Sequence, residues 1–184
     1  LATIPIVIAG VALSPILNAC NSPLRSLNVI GASCLVMAAL LALAEVSCKH
    51  LRRVDGMRLR DALVVGVAQV GALIPGVSRS GSTLTAALFM NFTREEAARF
   101  SFLLGLPAIA LAGLKELWTL YHAHIPQEAW AILLFGIVVA SISAFCAIWG
   151  LMRFLEKFST WPFVIYRAAL GIFLLAGVNL GLLH

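Results

Sequence analysis

The stretch 61-DALVVGVAQVGALIPGVSRSGSTLTAALFMNF-92 decides how the chain is read. It is apolar at both ends. Its centre, 75-PGVSRSGST-83, holds three serines, a threonine, two glycines and an arginine. Neither arm can cross a bilayer alone. Asp61 to Ile74 as a helix reaches about 21 Å, against a hydrocarbon core about 30 Å thick. The expectation is therefore a re-entrant hairpin over 61–92, entering the membrane, turning inside it and leaving by the same face. Non-helical backbone at that depth is tolerated only where it is buried in protein or lines a wet cavity.

The rest of the chain agrees with a membrane setting. Of 184 residues, 61% are apolar and 11% charged, with a mean hydropathy of +1.00. A soluble domain is roughly 45–50% apolar and about 25% charged. The fold class expected is an all-α integral membrane protein, a helical bundle with one re-entrant hairpin. The net charge of +5 does not point to nucleic acid, because the basic residues sit between apolar segments rather than on an aromatic-laced surface. Cys20, Cys34, Cys48 and Cys146 lack metal-type spacing and read as small core or interface residues. The first residue is Leu1, inside an apolar segment with no basic stretch before it. That segment does not read as a signal peptide. The expectation is a single membrane domain over 1–184, the C-terminal part of a longer protein.

Spans of about 20 apolar residues are expected at Leu27–Ser47, from Thr93 to about Trp118, at Glu128–Met152 and at Trp161–Leu182, with a shortened one at Leu1–Leu17. Polar turns fall at Asn18–Ser26 and Tyr121–Gln127. Thr93 and Glu96 have the spacing of a capping box. The positive-inside rule tests this layout. With a re-entrant hairpin, Lys49, Arg52, Arg53, Arg58, Arg60, Arg94, Arg99, Arg153 and Lys157 share one face, nine of the thirteen Lys and Arg. A full crossing at 61–92 would destroy that asymmetry. Trp118, Tyr121, Trp130 and Trp161 fall near the expected interfaces, as aromatic belts do.

An arginine at membrane depth costs at least about 2.5–3.5 kcal/mol. Arg79 therefore needs a counter-charge, a wet cavity or both, and no Asp or Glu lies between Asp61 and Glu95. The surroundings suit an anion. Gly76 and Gly81 admit close backbone approach. A helix starting near Ser82 or Thr83 would aim free N–H groups and a positive dipole end at the loop. Ser78, Ser80, Ser82 and Thr83 add hydroxyls, and Arg79 adds a fork that matches phosphate oxygens. The plainer alternative is a turn whose serines satisfy backbone groups around a structural arginine. Gly76–Thr83 also spells G-x-x-x-x-G-S-T, a P-loop with Ser82 in place of Lys. The missing Lys and the apolar flanks exclude nucleotide binding. Arg167 is assigned a structural role, pairing with a carboxylate on another helix or snorkelling to the interface. His50, His122, His124 and His184 are given no chemistry.

At 75-PGVSRSGST-83 the chain resembles the undecaprenyl-diphosphate phosphatase family, the bacitracin-resistance type of membrane phosphatase, whose P-G-x-S-R-S-G-x-T motif it matches throughout. The stretches 99-RFSFLLGLPA-108 and 161-WPFVIYR-167 extend the resemblance over nearly the whole chain. It implies inverted repeats whose two hairpin tips meet at the site, in a multi-pass protein of the bacterial inner membrane. The implied reaction is hydrolysis of undecaprenyl diphosphate to undecaprenyl phosphate and inorganic phosphate. That step recycles the lipid carrier of peptidoglycan synthesis and so bears on cell shape. By position, Arg79 would clamp the diphosphate, with Ser78 and Thr83 as hydrogen-bonding partners and Gly76, Ser80, Gly81 and Ser82 lining the substrate. The family's Glu-rich stretch and Ser-Ser-x-Gly-His turn are absent from this chain. A divalent cation, Mg or Ca, is implied, with its ligands outside this chain. The implied partners are a prenyl diphosphate lipid and the bilayer, with a homodimer as the assembly and no nucleic acid. The alternative is a transporter or flippase for a lipid phosphate or other anion, since broken helices aimed at an anion also occur in transporters. A purely structural subunit fits the polar hairpin least.

Overall fold

The computed structural model describes residues 2–17, 26–123 and 126–182. The expected turn at Asn18–Ser26, with Cys20 and Arg25, falls largely outside them, as do His124 and His184. The described residues form seven α-helices and no strand: α1 (Ile4–Leu17), α2 (Leu27–Ser47), α3 (Leu59–Val70), α4 (Arg79–Phe89), α5 (Arg94–His122), α6 (Gln127–Lys157) and α7 (Trp161–Asn179). Four are long and apolar enough to cross a membrane: α2, α5, α6 over Ala129–Lys157, and α7. At 14 residues α1 is shorter than a span.

Each start has a local cause. Ser26 caps α2 by accepting from the Val29 amide at 3.4 Å. Thr93 caps α5 by accepting from the Glu96 amide at 3.3 Å. Pro162 sits in the first turn of α7, where its missing N–H costs nothing. The last turns outrun the expectations for α5 and α6. Leu151 to Lys157 contains no breaker, so α6 continues past Met152 as a polar-ended helix.

The most extensive packing is α2 on α7. It depends on two glycines. A Cβ on Gly171 would stand 2.9 Å from the Gly31 carbonyl oxygen, and one on Gly31 would stand 3.2 Å from that of Gly171. Small residues let helix backbones approach this closely in membrane proteins. α4 lies between α3, α5 and α2. α6 touches chiefly α5 and is exposed along most of its length.

Helices α3 and α4 are 12 and 11 residues long, both shorter than a span. Their outer ends are stitched together. The Arg52 amide donates to the Asn91 carbonyl at 2.7 Å, and the Thr93 amide donates to the Arg52 carbonyl at 2.9 Å. The Arg52 guanidinium donates to the Met90 carbonyl at 3.1 Å and to Asp61 at 2.5 Å, and it lies over the Phe92 ring. The basic loop ahead of α3 and the turn after α4 therefore meet at one end of the bundle. Two more helix ends join them through Glu45 near the end of α2. Its carboxylate accepts from Arg94 at 2.8 Å and from Thr160, the residue before α7, at 2.9 Å.

Candidate functional site: the Pro75–Thr83 loop and its cavity

The far end of the α3–α4 pair is the loop singled out in the sequence. A short 3-10 turn, Gly71–Leu73, follows α3. Gly76 then takes φ +90, and a Cβ there would stand 2.6 Å from the Ile30 carbonyl oxygen of α2. Only glycine fits both conditions. The Cys34 thiol donates to the Gly76 carbonyl at 3.6 Å. From Glu45 to this contact α2 rises roughly 16–22 Å, so the loop lies well away from the basic end.

Helix α4 begins at Arg79, three or four residues earlier than the sequence suggested. The reason is Ser78. It holds a left-handed backbone (φ 61), and its hydroxyl oxygen accepts from the Gly81 amide at 3.3 Å. Serine caps helices in this way. The amides of Arg79 and Ser80 lie in the first turn, where no intrahelical acceptor exists.

Arg79 leaves the helix start toward α5. A Cβ on Gly105 would stand 3.2 Å from its Nη2. Among the described residues no carboxylate lies within ion-pair distance of Arg79; the pairs formed are His50–Glu45, Arg52–Asp61 and Arg94–Glu45.

The hydroxyls divide into two groups. Ser78 and Ser80 are exposed and line a cavity of about 510 Å³, together with Gly76 and Gly81. Ser82 and Thr83 are buried. Ser82 donates to the Arg79 carbonyl at 3.0 Å. Thr83 reaches the Arg79 and Ser80 carbonyls and also hydrogen-bonds Ser101 of α5. Ser101 in turn donates to the Ser80 carbonyl at 3.2 Å. The structure thus brings Gly76, Ser78, Ser80 and Gly81 together on one wall and turns Ser82 and Thr83 onto the backbone behind it. Apolar side chains make most of the remaining wall, among them Ile30, Leu84, Phe102, Phe163 and Leu170.

Arg167 lines the same cavity. Among the described residues it pairs with no carboxylate, and it does not leave the bundle, in contrast to the two roles the sequence suggested. Its Nη2 donates to the carbonyls of Gly76 at 2.7 Å and Val77 at 2.9 Å.

A loop of this shape at a helix start, flanked by two arginines, can hold a phosphate. The family model described as "Bacitracin resistance protein BacA" matches residues 1–173. The chain belongs to the BacA family. Among its relatives, "Undecaprenyl-diphosphatase 2" of Mesorhizobium japonicum is 71% identical over 181 residues, covering 98% of this chain and 69% of the relative. "Undecaprenyl-diphosphatase" of Gloeobacter violaceus is 50% identical, covering 100% and 63%. That of Synechocystis sp. is 47% identical, covering 98% and 56%. The chain thus spans between about half and about two thirds of the length of these relatives.

The divalent cation implied by the BacA resemblance does not fit the side chains at this loop. Its polar wall is hydroxyls and an arginine, without a carboxylate. Among the described residues no group of three or more His, Cys, Asp or Glu is placed to hold a metal ion. Three contributors escaped the sequence reading: Ser101, Gly105 and Cys34. Ser101 and Gly105 are four apart on α5 and so share a face. That small-xxx-small spacing was the available signal. Cys34 carries no comparable mark, because its role comes from where α2 passes the loop.

Proposed function

We propose that the whole protein hydrolyses undecaprenyl diphosphate to undecaprenyl phosphate and inorganic phosphate, and that this chain supplies its anion-clamping half. The observation that carries this is Arg79, the first residue of α4, held between Ser78 and Ser80, which line the cavity, and without a carboxylate partner among the described residues. The names of the relatives support the substrate. They give no support to transport.

In this reaction one water adds across the anhydride. An oxygen–phosphorus bond forms at the terminal phosphorus, the bond to the bridging oxygen breaks, and that oxygen leaves on the lipid monophosphate. Charge grows on the transferring phosphoryl oxygens and on the bridging oxygen. Arg79 and the first-turn amides of α4 are the donors that would meet such charge. Ser78 accepts from Gly81 through its oxygen, so its hydroxyl proton remains available to donate. Ser80 offers a second hydroxyl to the cavity. Thr83 acts from behind on the carbonyls of Arg79 and Ser80, and Ser101 joins it at the Ser80 carbonyl. The groups that activate the attacking oxygen and hold the cation belong to residues beyond this chain.

The hairpin is re-entrant in this proposal. Both its feet lie at the basic end, which the positive-inside rule makes cytoplasmic. Its tip then faces the periplasmic side of the bacterial inner membrane. A homodimer is the assembly this reading carries, and sedimentation in detergent tests it.

The test is phosphate release from a C55 or shorter prenyl diphosphate by the full-length protein, with magnesium or calcium. Arg79→Ala lowers the rate at least about a hundredfold, the scale of losing one strong transition-state donor. Arg79→Lys is also impaired, because an ammonium cannot reproduce the fork. Wild-type rates in Arg79→Ala would remove the clamp.

A further inference from the structure

Arg167 is the one cation of α7, and its guanidinium ends on the loop rather than on a carboxylate. Three features define its position. Nη2 bridges two consecutive carbonyls, Gly76 and Val77. Nη1 lies so close to Gly81 that a Cβ there would collide with it. Nε is buried and has no hydrogen-bond partner among the described residues. The side chain is thus wedged between the carbonyl side of the loop and the first turn of α4. An unneutralised arginine in an apolar wall is costly, and a buried N–H left unmade adds to that cost. A simple hairpin turn requires neither.

We propose that Arg167 is the positioning residue of the phosphate loop. Carbonyl oxygens repel an anion, and a glycine-rich loop can present either its carbonyls or its amides. By engaging the Gly76 and Val77 carbonyls, Arg167 directs their negative ends onto itself. The amide side of the loop and the hydroxyls of Ser78 and Ser80 are left for the phosphate. Its charge also adds to that of Arg79 across the first turn of α4. Gly81 belongs to this arrangement for a second reason, since any side chain there would displace Nη1. This inference rests on the loop being the anion clamp.

The experiment uses the full-length protein in detergent, with kcat and KM for a prenyl diphosphate and the inhibition constant of methylenediphosphonate, a diphosphate that cannot be hydrolysed. Arg167→Met is expected to lower kcat/KM about a hundredfold and to weaken methylenediphosphonate about tenfold or more. Arg167→Lys keeps the charge and one donor, and it should recover about tenfold of the loss. Gly81→Ala is expected to be impaired, and Gly81→Ala with Arg167→Lys to be less impaired than additivity predicts, because the obstructing nitrogen is gone. Arg79→Ala is the control for the underlying reading. Folded Arg167→Lys and Arg167→Met with wild-type kcat, KM and inhibition constant, beside an inactive Arg79→Ala, would overturn the positioning role alone. Wild-type behaviour in all three would overturn the clamp and this inference with it. If Arg167→Met does not fold, Arg167→Lys and the Gly81 pair decide. Strictly additive losses there would also overturn the proposal.

Discussion

Ser78 shows how one residue can hold a site under strain. A non-glycine residue at φ 61 is uncommon, and such positions cost of order 1–3 kcal/mol. Serine also contributes the cap on Gly81. The two terms separate by substitution. Ser78→Ala keeps the strain and loses the cap, at about 1 kcal/mol. Ser78→Gly loses the cap and relieves the strain, so it should melt above Ser78→Ala in detergent. Both should lose phosphate release in the full-length protein, through the missing hydroxyl. A Ser78→Ala melting point at or above that of Ser78→Gly would contradict the strain. Gly105 makes the complementary case. Gly105→Val would crowd the Arg79 guanidinium, and the expected result is a fall of about tenfold or more in kcat/KM with little change in melting. The sequence singled out Arg79 with Ser78, Ser80, Ser82 and Thr83 because charged and polar residues inside an apolar run are conspicuous. It could not separate Ser80 from Ser82 and Thr83. All are hydroxyls in one loop, and only the start of α4 decides which face the cavity.

The α3–α4 hairpin is the element whose boundaries repay attention. The sequence located its two short arms, because neither is long enough to span. It did not reveal what closes their feet, since the Arg52 contacts join residues about forty positions apart. Asp61 is central there. The Arg52 hydrogen bond holds its carboxyl below the usual carboxylate range, against the opposing effect of burial and with help from the Arg58 amide. A lowered folded pKa gives stability that is complete above the unfolded value of about 3.9 and lost as pH falls through the folded one. Asp61→Asn should therefore be less stable at neutral pH, by roughly 1.5–3 kcal/mol for a charged hydrogen bond, read as a lower melting temperature in detergent. The gap to wild type should close only at strongly acidic pH. An unchanged gap there would show that charge is not the source. At the α2–α7 crossing, Gly171→Leu is expected to destabilise by about 1–3 kcal/mol or more through overpacking, measured as loss of monodisperse protein on heating in detergent.

For the whole molecule, hydropathy and the clustering of basic residues made the helical membrane fold readable. The Glu45 contacts bring the ends of α2, α5 and α7 to the side those residues share. The meeting of α7 with the Pro75–Thr83 loop was not readable, because it depends on the depth to which Arg167 reaches. At this scale the expectation is that the chain completed to the length of its relatives releases phosphate and that this chain alone does not. Release by this chain alone would place the catalyst within the loop. One consequence of Arg79 and Arg167 lies in folding rather than turnover. Neither guanidinium has a carboxylate partner among the described residues, so a bound anion would be the counter-ion that the protein's own side chains do not provide there. Ligand that binds only the native state stabilises it by about 2.7 kcal/mol at a hundred times its dissociation constant. Pyrophosphate should therefore raise the melting temperature of the full-length protein where chloride at equal ionic strength does not, and Arg79→Ala should lose most of that increment. The substrate headgroup would then act as a reversible part of the protein's own interior, leaving the site least stable each time product departs.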